Sequence, residues 1–175
     1  DKRNAIHYEN ISISLAESLA NQGTGWIYEM SFGNGGTSVD PTGIITYLTP
    51  NSTGANAGLY NQTYSKVVDD RSVNNLDPVR NKIETRHVSG TNYTDVLVTC
   101  LLDYGEPTDQ DAFDTATSDQ SSYIFDELGL RAFSDNGDGR LLTHVIFHPV
   151  QKSLNRLIQI DYTVRVQSLT GFNEV

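Results

Sequence analysis

The chain has 175 residues, long enough for a single domain spanning 1–175 that buries a core without covalent staples, although its 37% hydrophobic side chains fall below the usual share. Its net charge of −10 is uneven: residues 1–87 carry 7 basic and 9 acidic side chains, whereas 88–175 carry 5 and 13. Such an acidic surface repels phosphate and argues against direct nucleic-acid binding, and no run approaches ~18 consecutive apolar residues, so no membrane span is expected.

The first residues lack a signal peptide's apolar segment. Residues 1–22 read as an arm or a short helix. Ile11, Ile13 and Leu15 alternate like a strand, but Leu15, Ala16, Leu19 and Ala20 form a helical stripe closing at Gly23. Trp26, Tyr28, Met30 and Phe32 then fall on one face of a predicted strand, ended by Gly33-Asn34-Gly35-Gly36. Asp40 to Gly43 is a turn, and Ile44 to Leu48 a short strand stopping at Pro50. Residues 50–62 form a long polar loop, of the kind that is usually functional or bound to a partner. Strands are expected at Tyr64 to Val68 and at Lys82 to Val88, with one helical turn at Asp77-Pro78 between them.

Asn92 to Asp103 is a core strand. Val96, Val98, Cys100 and Leu102 share one face, while Leu97 and Leu101 make the other apolar too, which predicts cover on both sides. Cys100 is the only cysteine and reads as a small buried hydrophobe. Glu106 to Ser122 is acidic and without periodicity, hence an exposed loop. Tyr123 to Phe133 reads as a strand interrupted at Gly129, Ser134 to Gly139 as a polar turn, and Leu141 to His148 as a strand ended by Pro149. Ile158, Ile160, Tyr162, Val164 and Val166 alternate with polar residues in the cleanest pattern of the chain. The sequence therefore predicts a closing meander of 123–133, 141–148 and 155–167. The fold class is mainly β, an antiparallel β-sandwich or jelly-roll-like barrel with one or two short helices and long loops.

Apparent chemistry yields to strand geometry. His144 and His148 stand four apart, a metal spacing on a helix, but in a strand that separation is about 13 Å, too far for one ion. Asp135-Asn136-Gly137-Asp138-Gly139 fails the calcium-loop pattern, since its third and fifth positions are glycines. Asp126 and Glu127 are neighbours that point to opposite faces of a regular strand, so they cannot share an acid–base task without a bulge; an exposed acid beside one paired to Arg131 or Arg140 is expected. Lys152, Arg156 and Arg165 suit ion pairs within the subunit or across an interface. His144, His148, Lys152, Arg156 and Arg165 are thus candidates for an interface between subunits. No catalytic, cofactor-binding or metal-binding residue is singled out, and no cofactor or enzymatic activity is expected. Trp26, Tyr28, Tyr47 and Tyr60 could serve as sugar-stacking platforms, against which stands core packing for Trp26 in its alternating strand.

Three segments carry a resemblance: Asp126 to Leu130, Leu141 to Lys152 and Ile158 to Val164. An acidic-Leu-Gly-Leu strand, a Gly/Asp turn, a Leu-rich strand ending in Phe-x-Pro and a Lys, and a long alternating strand follow one another. In this order the chain resembles virion structural proteins of tailed bacteriophages, of the tail, baseplate, neck/collar or fibre-attachment type. Phe32 to Thr37 has a similar look. The resemblance implies a multi-copy structural subunit of the virion, assembled in the host cytoplasm, whose partners are other virion proteins and copies of itself. It offers no catalytic residue. Capsid decoration, or carbohydrate or receptor binding on the virion, is the alternative role.

Overall fold

In the computed structural model, residues 3–107 and 122–169 are described. The elements in chain order are β1 (Arg3–Ile6), α1 (Tyr8–Leu19), β2 (Ile27–Gly33), β3 (Thr37–Val39), β4 (Ile45–Tyr47), β5 (Gln62–Val67), β6 (Lys82–His87), β7 (Tyr93–Leu102), β8 (Ser122–Ala132), β9 (Thr143–Ser153) and β10 (Ile158–Gln167). The fold is mainly β, with antiparallel sheets that do not close into a barrel, consistent with a sandwich-like arrangement. One sheet has the order β1-β9-β8-β2-β5 and a second β10-β7-β6, while β3 and β4 form a separate hairpin.

Alternation builds the space between the sheets. Met30 and Phe32 of β2, Leu128 and Leu130 of β8, and Val98, Cys100 and Leu102 of β7 are all buried in one cluster. Phe125 anchors it, meeting Phe32 and Phe147 edge-on at 5.4 and 5.7 Å. Such edge-to-face pairs set a positive rim against a negative ring face.

The helix starts earlier than the apolar stripe suggests. His7 caps it: its Nδ1 accepts the backbone N–H of Asn10 at 3.2 Å, meeting one of the donors that a helix start leaves open. Its buried residues, Asn10 and Ser14, are polar, and of its apolar residues Ile11 packs against the core, so the stripe of Leu15, Ala16 and Leu19 placed it poorly. The stretch at Asp77-Pro78 is a turn closed by Asn81 N–H on the Asp77 carbonyl.

The expected closing meander is corrected. β8 and β9 form a hairpin, but β10 leaves that sheet and pairs with β7, from Ile158 opposite Leu102 to Gln167 opposite Tyr93. Two long alternating strands pair as readily across sheets as in sequence order. β8 also runs through Gly129 without interruption. Glycine is required there because a Cβ would press on the Thr143 carbonyl oxygen of the next strand. β9 continues through Pro149 to Ser153. Its partner β1 ends opposite Thr143–Ile146, and the β8 ladder skips 147–149, so the missing proline N–H leaves no ladder bond unmade.

Candidate functional site: a polar layer fastening two loops

The register of β8 on β9 shifts between Phe125 and Glu127. The in–out alternation slips with it. Tyr123 and Phe125 face the apolar core before the slip, and Leu128, Leu130 and Ala132 face it after. Asp126 and Glu127 are therefore both left on the opposite face of the sheet, which corrects their expected divergence. Both are buried, and neither pairs with Arg131 or Arg140. Arg140 instead holds Glu17 of α1 at 2.9 Å.

Residues 34–61 close over these carboxylates. Glu127 Oε1 accepts the N–H groups of Gly35 (3.1 Å) and Asn61 (2.8 Å), and Oε2 accepts those of Tyr60 (3.0 Å) and His144 Nε2 (2.8 Å). Asp126 accepts Gly36 N–H at 2.8 Å on Oδ1 and Thr37 N–H at 2.9 Å on Oδ2. Gly33, the last residue of β2, must be glycine beside Glu127: a Cβ there would press on the Asn61 carbonyl oxygen and stand 2.6 Å from Glu127 Oε1. Burial pushes the Glu127 carboxyl up, but the bonds from His144, Asn61, Tyr60 and Gly35 outweigh it and hold it below its usual range.

His144 extends the layer. Its Nδ1 accepts Asn51 N–H at 2.8 Å, so the ring carries its proton on Nε2 and donates it to Glu127. Nearby, Arg131 donates to Gln62 Oε1 (2.7 and 3.0 Å), Ser31 Oγ (3.2 Å) and the Gly139 carbonyl (2.8 Å). The five-stranded sheet thus has an apolar layer on one face and a hydrogen-bonded polar layer on the other. Glu127 and His144 have every position filled by their own chain, so they are fasteners for backbone rather than groups poised for a substrate.

The fastened loops display apolar side chains outward. Val39, Ile44, Leu48 and Tyr60 are exposed on the β3–β4 hairpin and the loop after it. The hairpin is tightly organised, since Asp40 Oδ1 accepts from Thr42 N, Thr42 Oγ1 and Ile44 N. The loop between β5 and β6 follows the same plan. Buried Asn75 donates to the Asp69 and Asn81 carbonyls, and buried Asn81 accepts Leu101 N–H, while Val73 and Leu76 are 94% and 96% exposed.

The candidate interface residues separate. His144 and Lys152 are fully buried and cannot reach a neighbouring subunit, so that expectation is revised for both. Lys152 lies under the core, where its Nζ donates to the carbonyls of Asp103 (3.0 Å), Glu106 (2.8 Å) and Ser153 (2.9 Å). The register slip in β9 turns it inward, which strand parity alone could not show. His148 is exposed, with Tyr47 Oη 3.3 Å from its Nδ1. Arg156 is exposed in the turn before β10, not on that strand. Arg165 is exposed on β10, bound to Asp95 at 2.8 Å and lying 3.9 Å over the Tyr93 ring.

Trp26 is not the core residue that its strand pattern suggests. It is 40% exposed, stacked on Phe133 at 4.7 Å with its Nε1 donating to Asp69 at 2.9 Å. Tyr60 Oη donates to the Thr49 carbonyl. Among the described residues, no cluster of His, Cys, Asp and Glu could hold a metal ion, and no helix is long and apolar enough to cross a membrane. The acidic loop expected at Glu106 to Ser122 lies mostly outside the described residues. Comparisons with protein families, with curated proteins and with solved structures find no match to this chain.

Proposed function

We propose that this chain is a structural subunit of a tailed bacteriophage particle, in the tail, baseplate or neck/collar, that works by protein–protein assembly and carries no catalysis. The virion assignment is supported by the sequence resemblance over Asp126–Leu130, Leu141–Lys152 and Ile158–Val164. The assembly assignment is carried by one observation: apolar side chains are displayed on loops whose backbones are pinned from beneath by buried Asp126, Glu127, Asn75 and Asn81. Ordering such loops in advance removes the entropy cost that a partner would otherwise have to meet, and exposed apolar surface supplies the contact. Capsid decoration would use the same surfaces. Carbohydrate binding is less well supported, because Trp26 already gives one ring face to Phe133 and its N–H to Asp69.

Immunogold labelling of purified particles with antibodies against the folded chain tests the assignment. Labelling at one discrete position on the particle is expected. Particles that contain the chain by mass but show no ordered location, or that lack it, would overturn it.

A further inference from the structure

β10 is the edge of its sheet. One side is paired with β7 along its whole length, and the other has no strand partner among the described residues. Natural edges are usually blunted by proline, a bulge, inward-pointing charge or short length. β10 has none of these: Ile158–Gln167 contains no proline, pairs with β7 without a register shift, and points Ile158, Ile160, Tyr162 and Val164 inward. Such an edge is a template for another strand.

The sequence of β10 is complementary to itself. Two copies related by a two-fold axis perpendicular to the sheet keep the same face inward, so facing residues have equal parity and one residue faces its own copy. An axis at Thr163 sets Asp161 opposite Arg165 of the second copy, twice by symmetry. The same register sets Gln159 opposite Gln167, and Tyr162 opposite Val164. An axis at Tyr162 sets Asp161 opposite Thr163 and Arg165 opposite Gln159, and one at Val164 sets them opposite Gln167 and Thr163, so both leave the charges facing neutral side chains. Asp161 has no ion-pair partner among the described residues, and its only described side-chain bond is from Gln159. Across the sheet, Arg86 and Arg165 both flank Asp95. Asp161 of a second copy would continue that row with the opposite sign to Arg165. On the inner face, Ile158, Ile160 and Tyr162 line a cleft of about 250 Å³ against Phe125, Leu128 and Phe147. The half-exposed Val166 of a second copy would add apolar cover beside Ile160.

We propose that β10 joins two copies of this chain, edge to edge and antiparallel about an axis at Thr163, fusing their three-stranded sheets into one. This deepens the assembly assignment by naming the partner and the strand, but the two fail separately. A chain that is monomeric in solution yet labels particles would sink the pairing alone, whereas a dimer absent from particles would sink the virion assignment alone.

Sedimentation velocity of the full chain across micromolar concentrations is the test. Wild type is expected to form dimers. Thr163 is exposed on the outer face, so charge there leaves the fold intact. Thr163→Lys and Thr163→Glu each put like charges face to face on the axis and should each weaken association about tenfold. An equimolar mixture of the two variants should recover it as a heterodimer. A strictly monomeric wild type, variants that dimerise as well as wild type, or a mixture no better than either variant alone would each overturn the proposal.

Discussion

Glu127→Gln isolates the fastener of the polar layer. The side chain keeps its shape, but one oxygen becomes an NH2 group. Each Glu127 oxygen accepts two N–H groups, Gly35 and Asn61 on one, Tyr60 and His144 on the other. Whichever way the amide turns, two donors, buried or partly buried, face a donor. An unmet buried donor costs about 1–3 kcal/mol, so the loss should be roughly 2–6 kcal/mol, a large part of a typical 5–15 kcal/mol stability. Urea unfolding followed through Trp26 fluorescence should show a lower midpoint with an unchanged slope. The pH dependence supplies a second reading. The folded carboxyl lies below its ordinary value, so its contribution is complete above the unfolded-state pKa and is lost as pH falls through the folded one. Wild type and variant should therefore converge on acidification. A loss under about 1 kcal/mol at neutral pH, or a constant gap down the acid limb, would refute the view of Glu127 as a four-bond fastener.

Two further outcomes follow from buried groups. Burial pushes the Cys100 thiol up to about 12, so native protein should resist an aromatic disulfide reagent at pH 8 and react only as urea unfolds it; rapid labelling of the native chain would contradict its place in the core. Lys152→Met strips the only described side-chain donor from the carbonyls of Asp103, Glu106 and Ser153, and should lower stability by about 2–4 kcal/mol in thermal unfolding, with a loss under 1 kcal/mol counting against the burial described.

Much of the fold was legible in the chain, for a definite reason. β10 alternates without a break from end to end, and an unbroken period of two has one interpretation, while β7 is legible from its run of apolar residues from Val96 to Leu102. The division into sheets was not legible. Nothing in Ile158–Gln167 says whether its neighbour is β9 or β7, because both offer apolar faces of matching length. The polar layer was the hardest part. Asp126 and Glu127 look divergent under strict alternation, and only the slip between β8 and β9 turns both to one side. Lys152 was misplaced by the same slip on the other strand. Its faint trace in the sequence is the change of apolar parity from Tyr123 and Phe125 to Leu128 and Leu130, which reads equally as an interruption.

The fastening of residues 34–61 by residues 126 and 127 also imposes an order in time. The bonds from Gly35, Gly36, Tyr60 and Asn61 to β8 span separations of 66–92 residues. A chain growing from its N-terminus presents this loop and hairpin long before the carboxylates that hold them exist. Until then their amides have only water, and the closure entropy of so long a span cannot be recovered. The displayed apolar surface consequently takes its final shape only after β8 is laid down. A subunit that is ready to meet its neighbours is thereby a subunit whose sheet has already formed.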